Sequence, residues 1–287
     1  MNAAVTVFFL IIKVFSLYFL AVSLFGLCRR RTPEPAARLR RFAVLIAARN
    51  EESCIAGLIE SLRAQHYPPE LVDIWVLPNN CTDRTAEAAR RAGAQVLEMP
   101  ASVRSKGAAL HTAAKALLRS ARNYDAFCVF DADNEADPAF LSEMNRALDR
   151  TAIVKSRILA KNRTQAGISA CYEIYFCSAN HFLNRAREAV GLSARVIGTG
   201  FAIRRDLLEA LDGFPCRTLT EDAELYAACL CRGARIGYCE TAVTYDEEPV
   251  TWRASLVQRR RWMSGILQVA RLTLPELLAN FLRQPSL

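Results

Sequence analysis

The sequence is poor in the residues that build structural metal sites. It has only three histidines, which are scattered, and it contains no Cys-x-x-Cys pair or Cys/His array of the zinc type. Several of its ten cysteines lie in apolar helix or strand patterns, where a reduced thiol packs as a small hydrophobic side chain. These absences exclude a structural zinc and favour a reducing compartment over a disulfide framework. The cysteines in apolar patterns are Cys54, Cys128, Cys171, Cys177 and Cys229.

Charge is nearly absent from the first 28 residues. From Ala3 to Cys28 only Lys13 is charged, and an apolar helix of this length spans a bilayer core of about 30 Å. A signal peptide is the alternative, but the span is too long, no charge precedes it and no Ala-x-Ala site follows. We therefore expect a transmembrane helix over residues 1–28.

A basic linker, residues 29–41, follows this span. It contains Pro33, Pro35 and a single acidic residue, Glu34, so most of the formal net charge of +8 lies beside the membrane. The positive-inside rule places this flank, and the chain after it, on the cytoplasmic side of the inner membrane. Nucleic acid is the alternative partner, but no aromatic residues interleave with the basic ones, so we expect none. The arginines are Arg29, Arg30, Arg31, Arg38, Arg40 and Arg41.

The rest of the chain alternates apolar strand patterns with helix patterns. With 52% hydrophobic and 23% charged residues, it is typical of a globular domain, here residues 42–272, with a membrane segment. The alternation predicts an α/β fold with a mostly parallel sheet flanked by helices. We expect strands at 42–48, 72–77, 95–97 and 126–130, helices at 51–64, 84–92 and 106–120, and a helix started by Asp137 and Pro138.

The loop after the first predicted strand, residues 47–52, has no glycine. Dinucleotide-binding folds and sugar-phosphate nucleotidyltransferases need glycine at this point, because their backbone approaches phosphates closely. The absence excludes both classes and indicates that side chains recognise the ligand. The loop after the second strand, Pro78 to Thr85, is polar and lies at the same edge of the predicted sheet; an Asx-rich helix cap is its alternative interpretation.

Two carboxylates, Asp131 and Asp133, end the apolar run Tyr124 to Phe130. Ligands of open α/β sheets bind beyond the carboxyl ends of strands, and a turn there brings both side chains towards one divalent cation. A lone acidic turn is the alternative, which the other motifs disfavour.

The order of these motifs resembles that of a family 2 glycosyltransferase of GT-A fold. They are Ala47-Ala48-Arg49-Asn50-Glu51, Asn79-Asn80-Cys81-Thr82-Asp83, Lys106-Gly107-Ala108-Ala109-Leu110 and Asp131-Ala132-Asp133. The resemblance implies transfer of a sugar from a nucleotide sugar, with Mg²⁺ or Mn²⁺ held by Asp131 and Asp133. It also implies that the nucleotide sugar contacts Ala48, Arg49, Glu51, Asn79, Asp83, Lys106 and Asp131.

Asn79 departs from that family pattern, which usually has an aspartate after the second strand. Because the amide of Asn79 offers uracil both an acceptor and a donor, we expect altered nucleotide affinity rather than its loss.

The second half of the domain carries the motifs that the resemblance assigns to the acceptor. A long helix is expected over 168–190 and a strand over 195–203, interrupted by Gly198-Thr199-Gly200, which lets another group approach the backbone. Thr220 then begins a helix as its N-cap, with Glu221 and Asp222 in the first turn. A helix start alone explains such residues, but the resemblance implies that Asp222 is the general base, and a helix N-terminus favours its ionised form.

A helix predicted over 252–272 contains Gln258, Arg261 and Trp262. A basic membrane-surface helix is the alternative interpretation. The Gln-x-x-Arg-Trp pattern resembles processive enzymes such as cellulose, hyaluronan and poly-N-acetylglucosamine synthases. It implies that Arg261 neutralises the leaving diphosphate while Gln258 and Trp262 shape the acceptor end of the site. Residues 273–287 form an amphipathic tail, which indicates a truncated chain or a membrane partner subunit.

These features together predict inverting transfer from a UDP-sugar to a saccharide hydroxyl. Transfer to a polyprenyl phosphate or another lipid is the alternative on the same fold. An inactive membrane scaffold is a different class, which retention of Asp131, Asp133, Asp222 and Arg261 disfavours.

Overall fold

The structure is a computed structural model that describes residues 3–28 and 35–283. Arg29, Arg30, Arg31 and Pro33 of the predicted basic linker lie outside the described residues, as does the end of the tail, 284–287.

Eight strands form one sheet. They are β1 (Phe42–Ala48), β2 (Val72–Pro78), β3 (Gln95–Val96), β4 (Ala126–Asp131), β5 (Glu135–Ala136), β6 (Ile153–Ala160), β7 (Phe201–Arg204) and β8 (Ile236–Asp246). The sheet order is β3-β2-β1-β4-β7-β6-β8-β5. Four of the strand pairs are parallel, namely β1 with β2, β1 with β4, β2 with β3 and β6 with β8, and the other three are antiparallel. The predicted α/β fold is confirmed, with a mixed sheet whose first half is parallel.

Ten α-helices accompany the sheet within the described ranges. They are α1 (Ala3–Leu24), α2 (Ile55–Arg63), α3 (Thr85–Arg91), α4 (Lys106–Leu118), α5 (Phe140–Ala147), α6 (Gly167–Ser178), α7 (Ala186–Ala189), α8 (Arg205–Ala210), α9 (Glu221–Cys231) and α10 (Trp252–Arg283).

Helix α1 is long and apolar enough to cross a membrane. The span Val5–Leu27 has a mean hydropathy of 2.4, and its large apolar side chains are exposed. Its end lies against the globular domain at Gly26, where an added Cβ would approach the carbonyl oxygen of His181 to 2.6 Å. Arg185 also donates a hydrogen bond to the carbonyl oxygen of Cys28 (3.0 Å). The backbone at Gly26 and Cys28 therefore joins the apolar helix to the domain, through close packing at Gly26 and through the Arg185 side chain at Cys28.

Strand β1 is buried on both faces of the sheet. Phe42, Val44 and Ile46 pack with α2 and α5, whereas Ala43 and Leu45 pack with α4 and α8 on the opposite face. Because successive side chains of a strand point to opposite faces, a strand covered on both sides is apolar at every position. This explains why the apolar runs predicted β1 and β4 correctly.

All ten cysteines are free thiols.

Several predicted boundaries differ from the structure. Helix α2 begins at Ile55 rather than Glu51, because residues 51–54 form turns that contact the loop after β2. Helix α5 begins at Phe140, and the Asp137 carboxylate accepts a hydrogen bond from the Ala139 N–H (3.0 Å) one turn earlier. The predicted helix 168–190 is helical from 167 to 189, but residues Ala179–Arg185 form a π-helical segment.

The predicted strand over 195–203 is wrong in its first part. Strand β7 begins at Phe201, because Gly200 has a φ of +59° and the Gly198 N–H bonds to a side chain rather than to a strand. Thr220 precedes α9 as predicted but forms no capping hydrogen bond, and its buried hydroxyl oxygen has no hydrogen-bond partner among the described residues. Helix α10 continues past Leu272 to Arg283 through Pro275, so no helix end separates the predicted domain from the tail.

Candidate active site

The carboxyl ends of β1, β2 and β4 meet at one edge of the sheet. Ala47 pairs with Leu77 on one side and with Asp131 on the other, so the loops that follow these strands start side by side. This edge brings the predicted donor residues next to the Asp131 loop, as the parallel pairing requires.

The loops after β1 and β2 are joined by hydrogen bonds between them. The Glu51 N–H donates to Thr85 Oγ1 (2.9 Å), and the Glu52 N–H donates to the Asp83 carboxylate (3.1 Å). Asp83 also accepts from the Thr85 hydroxyl (2.5 Å), and this hydrogen bond lowers its pKa. The carboxylate of Asp83 therefore fixes the relative position of the two loops.

Asn79 is buried at the end of β2, where its side-chain oxygen accepts a hydrogen bond from the Asn80 amide (2.8 Å). Ala48 is buried, and its carbonyl oxygen accepts from the Asn79 N–H (2.9 Å). Arg49 is exposed at the same edge. The contacts of these residues with a nucleotide stay predictions.

Asp131 is held in place through its backbone, which leaves its carboxylate free for other contacts. The Asp131 N–H donates to Thr199 Oγ1 (3.0 Å) and to Asn134 Oδ1 (3.1 Å), while the Thr199 hydroxyl donates to Asn134. The carboxylate is partly exposed at the edge of the sheet. Thr199, predicted from the Gly-Thr-Gly motif, thus positions the first of the two metal-binding candidates.

Asn134 and Asp246 are functional candidates that the sequence reasoning missed. Asn134 is buried and donates from its amide to Asp246 Oδ1 (2.6 Å), at the end of β8. Burial raises the pKa of Asp246 well above its usual value, and the negative charges of Glu248, Asp133 and Asp131 raise it further. Asn134 directly follows Asp133, which was the one available signal; β8 itself was not predicted.

Asp133 lies in an environment that opposes its negative charge. Burial raises its pKa to about 7, and the carboxylates of Asp131, Glu51 and Glu247 add to this effect. Hard cations prefer carboxylate oxygens, and a divalent cation here would offset the excess negative charge. Asp131 and Asp133 therefore fit such a cation, although the described ranges contain no group of three or more His, Cys, Asp or Glu side chains with metal-site geometry.

Lys106, at the start of α4, connects three of the predicted motifs. Its ammonium group lies 2.5 Å from Asp131 Oδ1 and 3.2 Å from Glu221 Oε1, and it donates to the Gly198 carbonyl oxygen (2.7 Å). Burial disfavours the charge of Lys106, but the attraction of Asp131, Glu221 and Asp222 outweighs it and raises the pKa. Lys106 is therefore charged and joins the Asp131 loop to the start of α9.

Asp222 contacts the same glycine. Its Oδ2 accepts a hydrogen bond from the Gly198 N–H (2.8 Å). A Cβ added to Gly198 would lie 3.4 Å from Lys106 Nζ and 3.9 Å from both Asp131 Oδ2 and Asp222 Oδ2. The structure thus brings the metal candidate, the lysine and the base candidate around one glycine.

Gly200, two residues after Gly198, is held by Lys155. Lys155 is fully buried in β6, and its ammonium group donates to the Gly200 carbonyl oxygen (3.1 Å) and Ser156 Oγ (3.2 Å). Burial lowers its pKa to about 7 in spite of the attraction of Asp246, Asp222 and Asp131. Lys155 was missed because the sequence analysis did not identify β6.

Helix α10 carries the remaining predicted residues. Gln258 accepts a hydrogen bond from the Tyr172 hydroxyl (2.9 Å), and the Trp262 ring lies edge-on to the Tyr172 ring at 6.3 Å. Arg261 is exposed and lines, with Gln258, Thr251 and Arg253, an open surface depression of 590 Å³ at the start of α10. Arg261 forms no ion pair within the described part of the chain, so its guanidinium is available to an anion.

Comparisons with known proteins agree on one family. Residues 40–265 match the family described as glycosyltransferase like family 2. A probable glycosyltransferase of Bacillus subtilis, YdaM, is 28% identical over 244 residues, which cover 81% of this chain and 56% of that protein. A beta-monoglucosyldiacylglycerol synthase of Synechocystis is 26% identical over 77% of this chain and 47% of its own length. This chain therefore spans about half the length of these curated relatives.

Solved structures support the fold. The mannosyltransferase PcManGT from Pyrobaculum calidifontis, in complex with GDP-Man and Mn²⁺, superposes with a TM-score of 0.69. It is 21% identical, and the match covers 90% of this chain and 71% of that chain. At this identity the likeness establishes the architecture, and the chemistry is argued from the residues.

Proposed function

The chain belongs to the glycosyltransferase-like family 2, and from this premise we propose that it transfers a sugar from a nucleotide sugar to a hydroxyl group with inversion at the anomeric carbon. The observation that carries the proposal is the convergence of Asp131, Lys106 and Asp222 on Gly198. This arrangement gathers a positive charge, a metal-binding carboxylate and the carboxylate proposed as the base around one point of the backbone.

In the proposed reaction, Asp222 accepts the proton of the attacking hydroxyl. The acceptor oxygen forms a bond to the anomeric carbon while the bond to the nucleoside diphosphate breaks on the opposite face, which inverts the centre. The Gly198 N–H holds one oxygen of the Asp222 carboxylate, so the other is available for the proton. Lys106 places a positive charge beside the developing charge of the diphosphate.

A divalent cation, Mg²⁺ or Mn²⁺, fits the Asp131 and Asp133 carboxylates. When bound, it supplies charge stabilisation of the leaving diphosphate. The mannosyltransferase with the same architecture was solved with Mn²⁺, which supports this assignment. Glu51 and Asn79 face the nucleoside in the proposal, with UDP as the nucleotide, and Arg261 contributes a second positive charge to the diphosphate.

The acceptor in the proposal is a saccharide hydroxyl, with Gln258 and Trp262 at the acceptor end of the site. A lipid acceptor is the second candidate, favoured by the name of the Synechocystis relative, a diacylglycerol glycolipid synthase, and by the exposed apolar helix α1. The helix anchors the domain on the cytoplasmic side of the inner membrane in this proposal, and the arginine-rich sequence of residues 29–41 supports that orientation. Within this stretch Arg40 is buried and paired with Asp149, so it belongs to the globular domain. A membrane partner subunit stays a prediction.

The test compares Asp222→Asn with Asp206→Asn, a first-turn aspartate of α8 outside the site. If Asp222 only began a helix, its replacement would cost at most about 1 kcal/mol of stability and leave transfer nearly intact. As the base, its loss should lower transfer by a factor on the order of 100 or more, with nucleotide binding retained.

Calorimetry with UDP and Mn²⁺ and a UDP-release assay on the same preparation measure both quantities. Transfer by Asp222→Asn within about threefold of wild type would reject the assignment. Competition between UDP and GDP for the same site tests the choice of nucleotide.

A further inference from the structure

Glu248 is a buried carboxylate that the proposed reaction does not use. It lies two residues after β8 and is 4% exposed, and its Oε1 has no hydrogen-bond partner in the part of the chain that the structure describes. No lysine or arginine among residues 35–283 forms an ion pair with it. Buried acceptors are almost always hydrogen-bonded, because an unpaired one loses its hydration without compensation. The side chain therefore has an unmet requirement for a donor.

The backbone of Glu248 is rigidly placed, which makes a mobile loop a poor explanation. The Glu248 N–H donates to Asn162 Oδ1 (3.0 Å), and the Asn162 amide donates to the Glu248 carbonyl oxygen (2.8 Å). Two residues earlier, Asp246 is fixed by Asn134 at the Asp131 loop. The backbone of Glu248 is thus fixed two residues from the contact between Asp246 and the Asp131 loop.

The charges that act on the Glu248 carboxylate come from other acidic side chains. Burial raises the pKa of Glu248 to about 7, and the negative charges of Asp133 and then Glu173 add to this effect. Glu173 has a partner of its own, the Ala160 N–H (2.6 Å from Oε2), so it makes no demand on a ligand. Glu248 differs from it in lying near Asp133 with an oxygen that nothing in the described chain satisfies.

We propose that Glu248 accepts a hydrogen bond from a sugar hydroxyl bound beside Asp133. This inference rests on the proposed function, since it names a recognition contact of the same site. A hydroxyl is the neutral donor that every sugar substrate carries, and a site built to bond it discriminates strongly against analogues that lack it. The hydroxyl belongs either to the donor sugar or to the acceptor sugar, and the experiment separates the two.

The test compares Glu248→Gln and Glu248→Met with the matched control Glu173→Gln, which removes a carboxylate that interacts with Glu248 but has its own partner. The first measurement is thermal unfolding of the metal-free protein at pH 8. Removal of an unpaired buried charge should raise the midpoint for both Glu248 variants. If the carboxylate of Glu248 had a structural partner, its removal would instead lower the unfolding midpoint. A lower midpoint in both Glu248 variants would therefore overturn the proposal.

The second measurement is calorimetric binding in Mn²⁺. The ligands are UDP, GDP, UDP-glucose, UDP-N-acetylglucosamine and GDP-mannose, and the wild type selects the nucleotide sugar that it binds most tightly. If the donor sugar supplies the hydroxyl, Glu248→Met should bind that nucleotide sugar roughly tenfold or more weakly, with binding of the matching free nucleotide unchanged. If the acceptor supplies it, donor binding is unchanged, and half-maximal stimulation of nucleotide release should need roughly tenfold more octyl β-glucoside.

If neither the affinity for the nucleotide sugar nor the half-maximal acceptor concentration changed, Glu248 would have a structural role and the proposal would be overturned. An equal loss of free-nucleotide and Mn²⁺ binding would also overturn it, because Glu248 would then act at the metal. The unfolding and binding measurements need no turnover. The acceptor measurement does depend on nucleotide release. A wild-type protein that binds nucleotide sugars without transferring them would therefore count against the proposed function, while the unfolding midpoints and the donor-binding measurement would still test Glu248.

Discussion

Lys106 should contribute several times more to the free energy of unfolding of the metal-free protein than an ordinary surface ion pair does. Its side chain is 23% exposed, that of Glu221 is 17% exposed, and Lys106 is also within 2.5 Å of Asp131 and donates to the Gly198 carbonyl oxygen. Lys106→Met removes the charge but keeps the length and the helix propensity of the side chain. It leaves Glu221 largely buried without its cation.

The expected loss follows from this burial. Breaking a fully buried pair by removing one partner costs roughly 3–5 kcal/mol, and partial exposure at this site reduces the figure to about 2 kcal/mol. For a domain of this size that corresponds to a fall of about 4–8 °C in the unfolding midpoint. Burial raises the pKa of Glu221 and Lys106 lowers it again, so the variant should also shift the Glu221 pKa upwards.

Lys115→Met is the matched control, because it makes the same substitution on the same helix. Lys115 pairs with Asp212, whose side chain is 82% exposed, so this ion pair should contribute about 0–1 kcal/mol. Thermal unfolding in detergent with EDTA compares the two variants. Addition of Mn²⁺ should restore more stability to Lys106→Met than to Lys115→Met, because the cation takes the place of the ammonium group beside Asp131. Equal midpoints for the two variants in EDTA would refute the reasoning.

Three further predictions concern the metal, helix packing and topology. UDP release should stop in EDTA and in the Asp133→Asn variant, and undiminished turnover in EDTA would contradict the metal assignment. Because the Asp133 pKa is about 7, calorimetry should show that Mn²⁺ binds about tenfold more tightly at pH 8 than at pH 6. Gly265→Ala should lower both the unfolding midpoint and the rate of sugar transfer, because the new Cβ would lie 2.4 Å from the Thr220 side chain. In the control Gly57→Ala the new Cβ would have no atom from elsewhere in the described chain within 4 Å, so this change should be neutral or stabilising. In inverted membrane vesicles, added protease should digest the domain from Phe42 onward, and protection would place it on the other side.

The pH dependence of folding should also have an unusual sign in the metal-free protein. Burial raises the pKa of both Asp133 and Glu248 to about 7, whereas in the unfolded chain these groups titrate near 4. Between pH 8 and pH 6 the folded chain therefore takes up protons that the unfolded chain does not. The buried Lys155, whose pKa is lowered to about 7, acts in the opposite sense, because the unfolded chain keeps a lysine proton that the folded chain gives up above pH 7. Two carboxyl groups outnumber this one amine, so the metal-free protein should be more stable at pH 6 than at pH 8.

The sequence predicted those parts of the fold whose signal is local. Strands β1 and β4 are buried on both faces, so their apolar runs identify them without knowledge of their neighbours. Asp131 and Asp133 were found because a charge directly follows such a run. Helix ends were less well predicted, because residues 51–54 are held by the loop around Thr85 rather than by α2 itself.

Strands β6 and β8 were missed for a physical reason. Their parallel pairing joins residues about 80 positions apart, for example Ile153 with Ile236, and it contains a register irregularity after Ser156. Strand β8 includes Gly237, Glu240 and Thr241, which interrupt the apolar pattern. Asp246, Glu248 and Lys155 belong to these two strands or follow them, so the acidic edge beyond Asp133 was not predictable from local pattern.

The glycine motif shows how the missed strands determine the site. From sequence, Gly198-Thr199-Gly200 indicates either a bulge or a close approach. In the structure, a Cβ on Gly200 would lie 2.5 Å from both Ser156 Oγ of β6 and Thr244 Oγ1 of β8, so these strands require the glycine. Their packing holds Gly200, and the chain just before it then presents the Gly198 N–H to Asp222 and its carbonyl oxygen to Lys106. The distance between the base candidate and the metal candidate is therefore set by two strands that carry no catalytic motif of their own.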